Sequence, residues 1–251
     1  LETSASYLPA LGQGSRTGVS LADYQAIYQS DPFYNWMGLD APLMYAAHKA
    51  AGGMTSVYRQ IGIGCERVFR QILQDKLALS PEEARWTYLT PASTGKPREL
   101  SLDGRIDLAH VREPSNEARI REWMNSAASL LLITLARQTA LSGVVFEVRQ
   151  GYKSKDSKRQ NADILNAASA YAHQYLPVLF VWSTQIDPTI VERYTQARWL
   201  ILIGSIEGDA TASTYTFCRE VLEYDLAAFL ERNAPRLRTA VARVLSALLE
   251  V

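Results

Sequence analysis

The stretch Gly143 to Asp163, reading GVVFEVRQGYKSKDSKRQNAD, decides the fold. Val144, Phe146 and Val148 alternate there with Val145, Glu147 and Arg149, so a period of two sets the apolar trio on one face of a strand and the charged pair on the other. Glu147 and Arg149 are neighbours on that face. Directly afterwards come Lys153, Lys155, Lys158 and Arg159 with only Asp156 opposing them, a local surplus of positive charge suited to a phosphate-bearing partner. A carboxylate fit to hold a metal stands beside cations fit to hold a polyanion, and phosphodiester cleavage needs both in one place.

Working outward, Ser115 after Pro114 is a good N-cap, and Ile120, Met124, Ala127, Leu131 and Leu135 trace an amphipathic helix that Gly143 can close. Beyond the basic loop, Ile164, Ala168, Tyr171 and Tyr175 mark a helix facing the core that ends before Pro177, and Val178 to Trp182 form an apolar strand. Asp187-Pro188 opens the next helix, Trp199 to Ile203 is a second uninterrupted apolar strand, and residues 213–251 read as two helices broken near Pro235. Strands alternating with helices imply parallel pairing, hence an α/β (α+β) chain with a mixed central sheet flanked by helices. Upstream, residues 1–20 read as an irregular arm, Leu21 to Gln29 and Ala41 to Ala51 as short helices, and Ser56 to Leu77 as a longer one carrying Glu66 in its middle. Trp86, Tyr88 and then Leu100, Leu102, Ile106, Leu108 and Val111 suggest strands, with Asp103-Gly104 as a two-residue hairpin turn.

At 251 residues the chain is expected to form one domain, with an N-terminal helical arm over 1–55, a core over 56–204 and C-terminal helices over 205–251. Basic and acidic side chains balance at 26 each, so any basic surface must be local. No apolar run reaches the ~20 residues needed to cross a bilayer. Cys65 and Cys218 are too few for a disulfide framework, which with no signal peptide points to a reducing cytoplasm; the start at Leu1 leaves an upstream leader open.

Metal-assisted phosphodiester hydrolysis needs carboxylates converging on a hard cation and a positive group beside the developing charge. Glu147 is the first candidate, its alternative being a surface ion pair with Arg149. Asp103 and Asp107 lie ~13 Å apart on a straight strand, too far to share one ion. Asp103 is explained as a turn residue, whereas Asp107 sits between Ile106 and Leu108 in a segment that favours burial, so Asp107 is chosen as the partner of Glu147. Glu66 has a weaker claim because Arg67 and Arg70 offer local partners. Lys153 and Lys155 are solvated loop cations or phosphate contacts, and Gln160 either caps the following helix or touches phosphate.

This pattern resembles the PD-(D/E)XK nuclease superfamily and, more narrowly, type II restriction endonucleases. The similarity covers roughly residues 56–204: Glu66 in a first helix, Asp107 in a hairpin, Glu147 in the next strand, Gln160 and Tyr171 in the following helix, and Val178 to Trp182 beyond. It implies a restriction-endonuclease-like core and magnesium-dependent, sequence-specific cleavage of double-stranded DNA. The metal would be held by Asp107, Glu147 and the carbonyl of Val148, DNA would be gripped by Lys155, Lys158, Arg159 and Gln160, and a homodimer would act on symmetric sites. Arg149 stands where the superfamily has lysine, and it stays protonated near pH 7, so Lys153 reaching back from the loop is the alternative provider of that lysine.

Two rival readings remain at this stage, a non-catalytic nucleic-acid or protein-binding module on the same scaffold, and a small-molecule enzyme with its pocket at the strand ends after Val178 and Trp199. Other signatures fail. Gly62-Ile63-Gly64-Cys65-Glu66-Arg67 lacks the third glycine and preceding strand of a dinucleotide fingerprint, which leaves helix packing as its account. His48, His110 and His173 are scattered, without zinc-ligand spacing.

Overall fold

The computed structural model describes residues 2–10, 18–90, 98–151 and 157–249, with backbone alone at 2, 3, 90, 98 and 157–162. The chain divides into two compact units, residues 1–63 with 230–251, and residues 64–229. No described helix is long and apolar enough to cross a membrane.

The first unit is helical, built from α1 (Glu2–Ala5), α2 (Leu21–Ser30), α3 (Pro32–Trp36), the first part of α4 (Pro42–Leu77) and most of α10 (Leu226–Leu249). Ser20 and Asp23 form a reciprocal capping box at α2, and the Asp31 carboxylate accepts from the amides of Phe33 and Tyr34 to start α3. Tyr24 is fully buried, stacked on Tyr28 at 4.2 Å and edge-on to Tyr45 at 5.5 Å, and its hydroxyl donates to the Leu39 carbonyl at 2.7 Å. The two helices expected at 41–51 and 56–77 are a single helix of 36 residues, because Gly52-Gly53 does not break it. A Cβ at Gly53 would lie 2.3 Å from the Leu248 side chain. The glycine's propensity cost of ~1 kcal/mol is offset by the close approach it permits.

The second unit is the α/β body. Its strands are β1 (Trp86–Thr90), β2 (Arg98–Leu102), β3 (Gly104–Asp107), β4 (Gly143–Arg149), β5 (Tyr175–Val181) and β6 (Leu200–Leu202), and its helices α5 (Pro114–Leu130), α6 (Leu135–Thr139), α7 (Ser157–Ala172), α8 (Pro188–Gln196) and α9 (Thr214–Glu220) join the end of α4. The main sheet has the order β3-β4-β5-β6, antiparallel between β3 and β4 and parallel thereafter, while β1 and β2 form a separate antiparallel pair. Aromatic side chains cover one face: Phe69 of α4 lies 4.9 Å from Phe146 and 4.3 Å from Phe180, and Phe217 of α9 packs on the same rings. The other face packs Val145, Leu179 and Val181 against Ala167 and Ala170 of α7, Ile190 and Tyr194 of α8, and Trp86 and Tyr88 of β1. With both faces covered, β4 and β5 are buried along nearly their whole length.

Both sheet edges are occupied by irregular chain. At β3 the Arg105 amide donates to the Ala84 carbonyl at 2.9 Å and its Nε to the Glu83 carbonyl at 3.0 Å. Beyond β6, Ile203 pairs with Ser213, its amide donating to the Ala212 carbonyl at 2.8 Å.

Three local expectations change. Asp103-Gly104 is not a hairpin turn, since β2 on one side belongs to the small sheet and β3 on the other to the main sheet. A Cβ at Gly104 would lie 2.8 Å from the Phe69 ring, so this glycine serves close packing opposite Phe146. The helix expected from a Ser115 cap has Glu113 as its N-cap and Pro114 in its first turn, it stops at Leu130, and Leu132 takes a left-handed φ of 54° before α6 begins. Pro235 lies inside α10 without ending it; the break falls at 221–225, where the Asp225 carboxylate accepts from the Ala228 amide at 2.9 Å.

Candidate functional site

Strand β4 delivers Glu147 and Arg149 to the sheet face covered by α7 and α8, as the alternation requires. Glu147 is only 6% exposed, so it is not a surface ion-pair residue. The Arg149 guanidinium is paired with the Glu147 carboxylate and reaches Asp163 of α7 at 3.4 Å. Asp163 also accepts from the Tyr194 hydroxyl of α8. Next to them, the Tyr88 hydroxyl donates to Asn166 at 2.5 Å. Burial raises the Tyr88 phenol above its ordinary value, a hydrogen bond with Ser169 opposes this, and the nearby Glu147 charge adds to the rise. A connected polar cluster therefore lies within the interface between sheet and helices, where each charge depends on its partner.

Asp103 stands beside Glu147 on the β3 edge. Its amide donates to the Phe146 carbonyl at 2.9 Å, and its Oδ2 accepts from the Val148 amide at 2.9 Å, so its two bonds bracket Glu147 along β4. Amide and carbonyl of one strand residue face the same edge, which turns the Val148 carbonyl toward Asp103 as well. The opposite edge serves Arg149, whose carbonyl accepts from the Trp182 amide at 2.8 Å. Asp103 and Glu147 are thus neighbours across the β3–β4 pair, the Asp103 carboxylate seated on the Val148 amide and the Glu147 carboxylate paired with Arg149. Carboxylate and carbonyl oxygens are the kind of donor that a hard divalent cation such as magnesium takes. Among the described residues no group of three His, Cys, Asp or Glu side chains is arranged to hold a metal.

Asp107, expected to share the ion with Glu147, is placed elsewhere. It pairs with Gly143, four residues along β4 from Glu147, which separates them by ~13 Å on the same face. An ion needs both acids within ~2.1 Å, so this pair cannot share one. Asp107 instead accepts from the Ala109 amide at 3.1 Å, capping a 3-10 turn over Leu108–His110, and from the Tyr175 hydroxyl at 2.7 Å. Burial, then that hydrogen bond and the Asp107 charge, push the Tyr175 phenol up to about 12.

Glu66 is half-buried one turn before Phe69, on the helix that covers the face opposite Glu147. In the same helix, a Cβ at Gly62 or Gly64 would meet no described atom within 4 Å, so close packing does not account for them. Lys153 and Lys155 lie outside the described residues. Lys158, Arg159 and Gln160 fall in the opening turns of α7, with their side chains outside the described set. Periodicity predicts Ile164, Ala168, Tyr171 and Tyr175 on the core side of one helix ending before Pro177, yet α7 ends at Ala172, Tyr175 and Pro177 belong to β5, and the buried positions among the described side chains of α7 are Asp163, Asn166, Ala167 and Ala170. Those four follow the i, i+3, i+4, i+7 rule equally well; two of them are polar, and a search for apolar stripes passes them by.

Comparison with protein-family models, with curated proteins and with solved structures gives no match.

Proposed function

We propose that this chain is a magnesium-dependent, sequence-specific endonuclease of double-stranded DNA with a restriction-endonuclease-like core, acting as a homodimer on symmetric sites. The single observation that supports this reading is the seating of the Asp103 carboxylate on the amide of Val148, the residue after Glu147. Asp103 thereby takes the role expected of Asp107, and Asp103, Glu147 and the Val148 carbonyl would hold the metal. When bound, the ion supplies Lewis-acid polarisation of a phosphoryl oxygen and a lowered pKa for water. Glu147 and Asp103 contribute the negative charge that attracts the cation. Arg149, protonated throughout the working pH range and held between Glu147 and Asp163, offers positive charge to a phosphate but is a poor proton acceptor. Lys153, Lys155, Lys158, Arg159 and Gln160, which follow β4 in the chain, would meet the DNA backbone.

Incubating supercoiled plasmid with the protein and magnesium is the test. Discrete linear products that vanish with chelator, with Glu147→Gln and with Asp103→Asn are expected. Intact plasmid across salt and pH overturns the catalytic reading. The second reading is a non-catalytic nucleic-acid or protein-binding module. It is favoured by the Arg149–Glu147 pair, which already neutralises the acid, and a gel shift of DNA without cleavage would establish it.

A further inference from the structure

The whole chain is electrically neutral, yet α10 carries Arg232, Arg236, Arg238 and Arg243 against a single acid, Glu231. Arg232, Arg236, Thr239 and Arg243 follow the spacing i, i+4, i+7, i+11, which gathers them into an arc of ~60° along ~16 Å of helix. All four are exposed. Among the described residues, no carboxylate lies within ion-pair distance of the three arginines. Arg236, Thr239 and Arg243 line a shallow groove of about 370 Å³ together with Pro235 and Ala240. The apolar side of α10 is already used, since Val244 and Leu248 are 2% and 1% exposed and pack with Val57 of α4. An interfacial helix would need that side for lipid, so the arginine edge fits a water-borne polyanion better than a membrane.

We infer that the Arg232–Arg236–Thr239–Arg243 edge of α10 is a second phosphate-backbone contact for duplex DNA, separate from the basic loop after β4. The inference rests on duplex DNA being the partner, as proposed above, but not on cleavage. Three guanidiniums over ~16 Å match about half a turn of duplex, and a backbone contact of this kind adds affinity without base preference.

The test measures duplex affinity against salt concentration for the full chain, for R232A/R236A/R243A, and for R238A on another side of the same helix. Alanine preserves helix propensity, and superimposable circular dichroism melts verify folding. Losing three phosphate contacts should flatten the slope of log K against log salt by ~2.7; the wild type then loses about 40-fold more affinity than the triple variant between 50 and 200 mM salt. R238A should keep the wild-type slope. A triple variant whose slope stays within about one of wild type overturns the inference. So does a protein that fails to bind duplex, or one whose triple variant loses only binding to anionic phosphatidylserine vesicles. The two readings separate cleanly: a protein that cuts plasmid with an unchanged slope in the triple variant refutes the α10 contact alone. One that binds through α10 but never cuts refutes catalysis alone.

Discussion

Replacing Arg149 with methionine should destabilise the α/β unit far more than a surface substitution, and the reason lies in what the arginine leaves behind. The side chains of Arg149, Glu147 and Asp163 are 12%, 8% and 5% exposed, and one guanidinium serves both acids. Methionine keeps much of the volume but removes the cation that both carboxylates share in a poorly solvated interface. Breaking a buried ion pair in this way costs about 3–5 kcal/mol. A domain of this size shifts by about 2–4 °C per kcal/mol, so the melting temperature should fall by ~6–20 °C. Trp86, Trp123, Trp182 and Trp199 all belong to the same unit, which lets tryptophan fluorescence in a urea titration report the loss. A companion variant decides the cause: E147Q/R149M/D163N removes all three charges and should regain most of the deficit, because a charge-free cluster has no ion left stranded. If R149M unfolds within about 1 kcal/mol of wild type, or the triple variant is less stable than R149M, the burial argument is wrong.

Exchanging the two aspartates separates their roles: Asp103→Asn should abolish magnesium-dependent cleavage. Asp107→Asn should retain cleavage while costing about 1 kcal/mol of stability through its weakened cap and tyrosine bond, as read by urea midpoints. Tyr175, with a folded pKa of about 12 against an ordinary 10.0, contributes stability that is intact below pH 10 and lost as pH rises through 12. Absorbance at the phenolate band should therefore show one tyrosine fewer with a late titration in Tyr175→Phe. Burial pushes the Cys65 thiol up to about 12 and raises Cys218 as well. Buried Cys218 should not react with a chromogenic disulfide at pH 8 until denaturant is added, and half-buried Cys65 should react slowly because little of it is thiolate at that pH; rapid labelling of two thiols in the native chain would contradict this.

Much of the architecture was legible because apolar runs carry strong signals. The strand from Gly143 to Arg149, the helix opened by Asp187-Pro188 and the alternation of strand and helix after residue 143 all follow from periodicity and caps. Asp103 was misread because an Asp-Gly pair between apolar stretches has the local chemistry of a hairpin turn. Only the pairing partners of β2 and β3 reveal a passage from one sheet to another. Asp107 looked like a buried acid seeking an ion, and the structure instead gives it a backbone amide and a phenol. Asp163 and Asn166 went unseen because buried polar faces obey the same 3.6-residue period as apolar ones, and their need for burial comes from Arg149, Tyr194 and Tyr88 on other elements. Long-range partnerships of that sort are fixed by the tertiary fold, not by neighbours in the chain.

The main sheet tapers from seven residues in β4 and β5 to four in β3 and three in β6, and the residues beside both outer strands are already bonded to irregular segments. A template that short and that well covered gives an incoming strand almost nothing to extend. Self-association by β-augmentation, and the amyloid-like stacking that begins from bare ladders, are therefore disfavoured at both margins. Copies of this protein that assemble should therefore not do so by extending the main sheet.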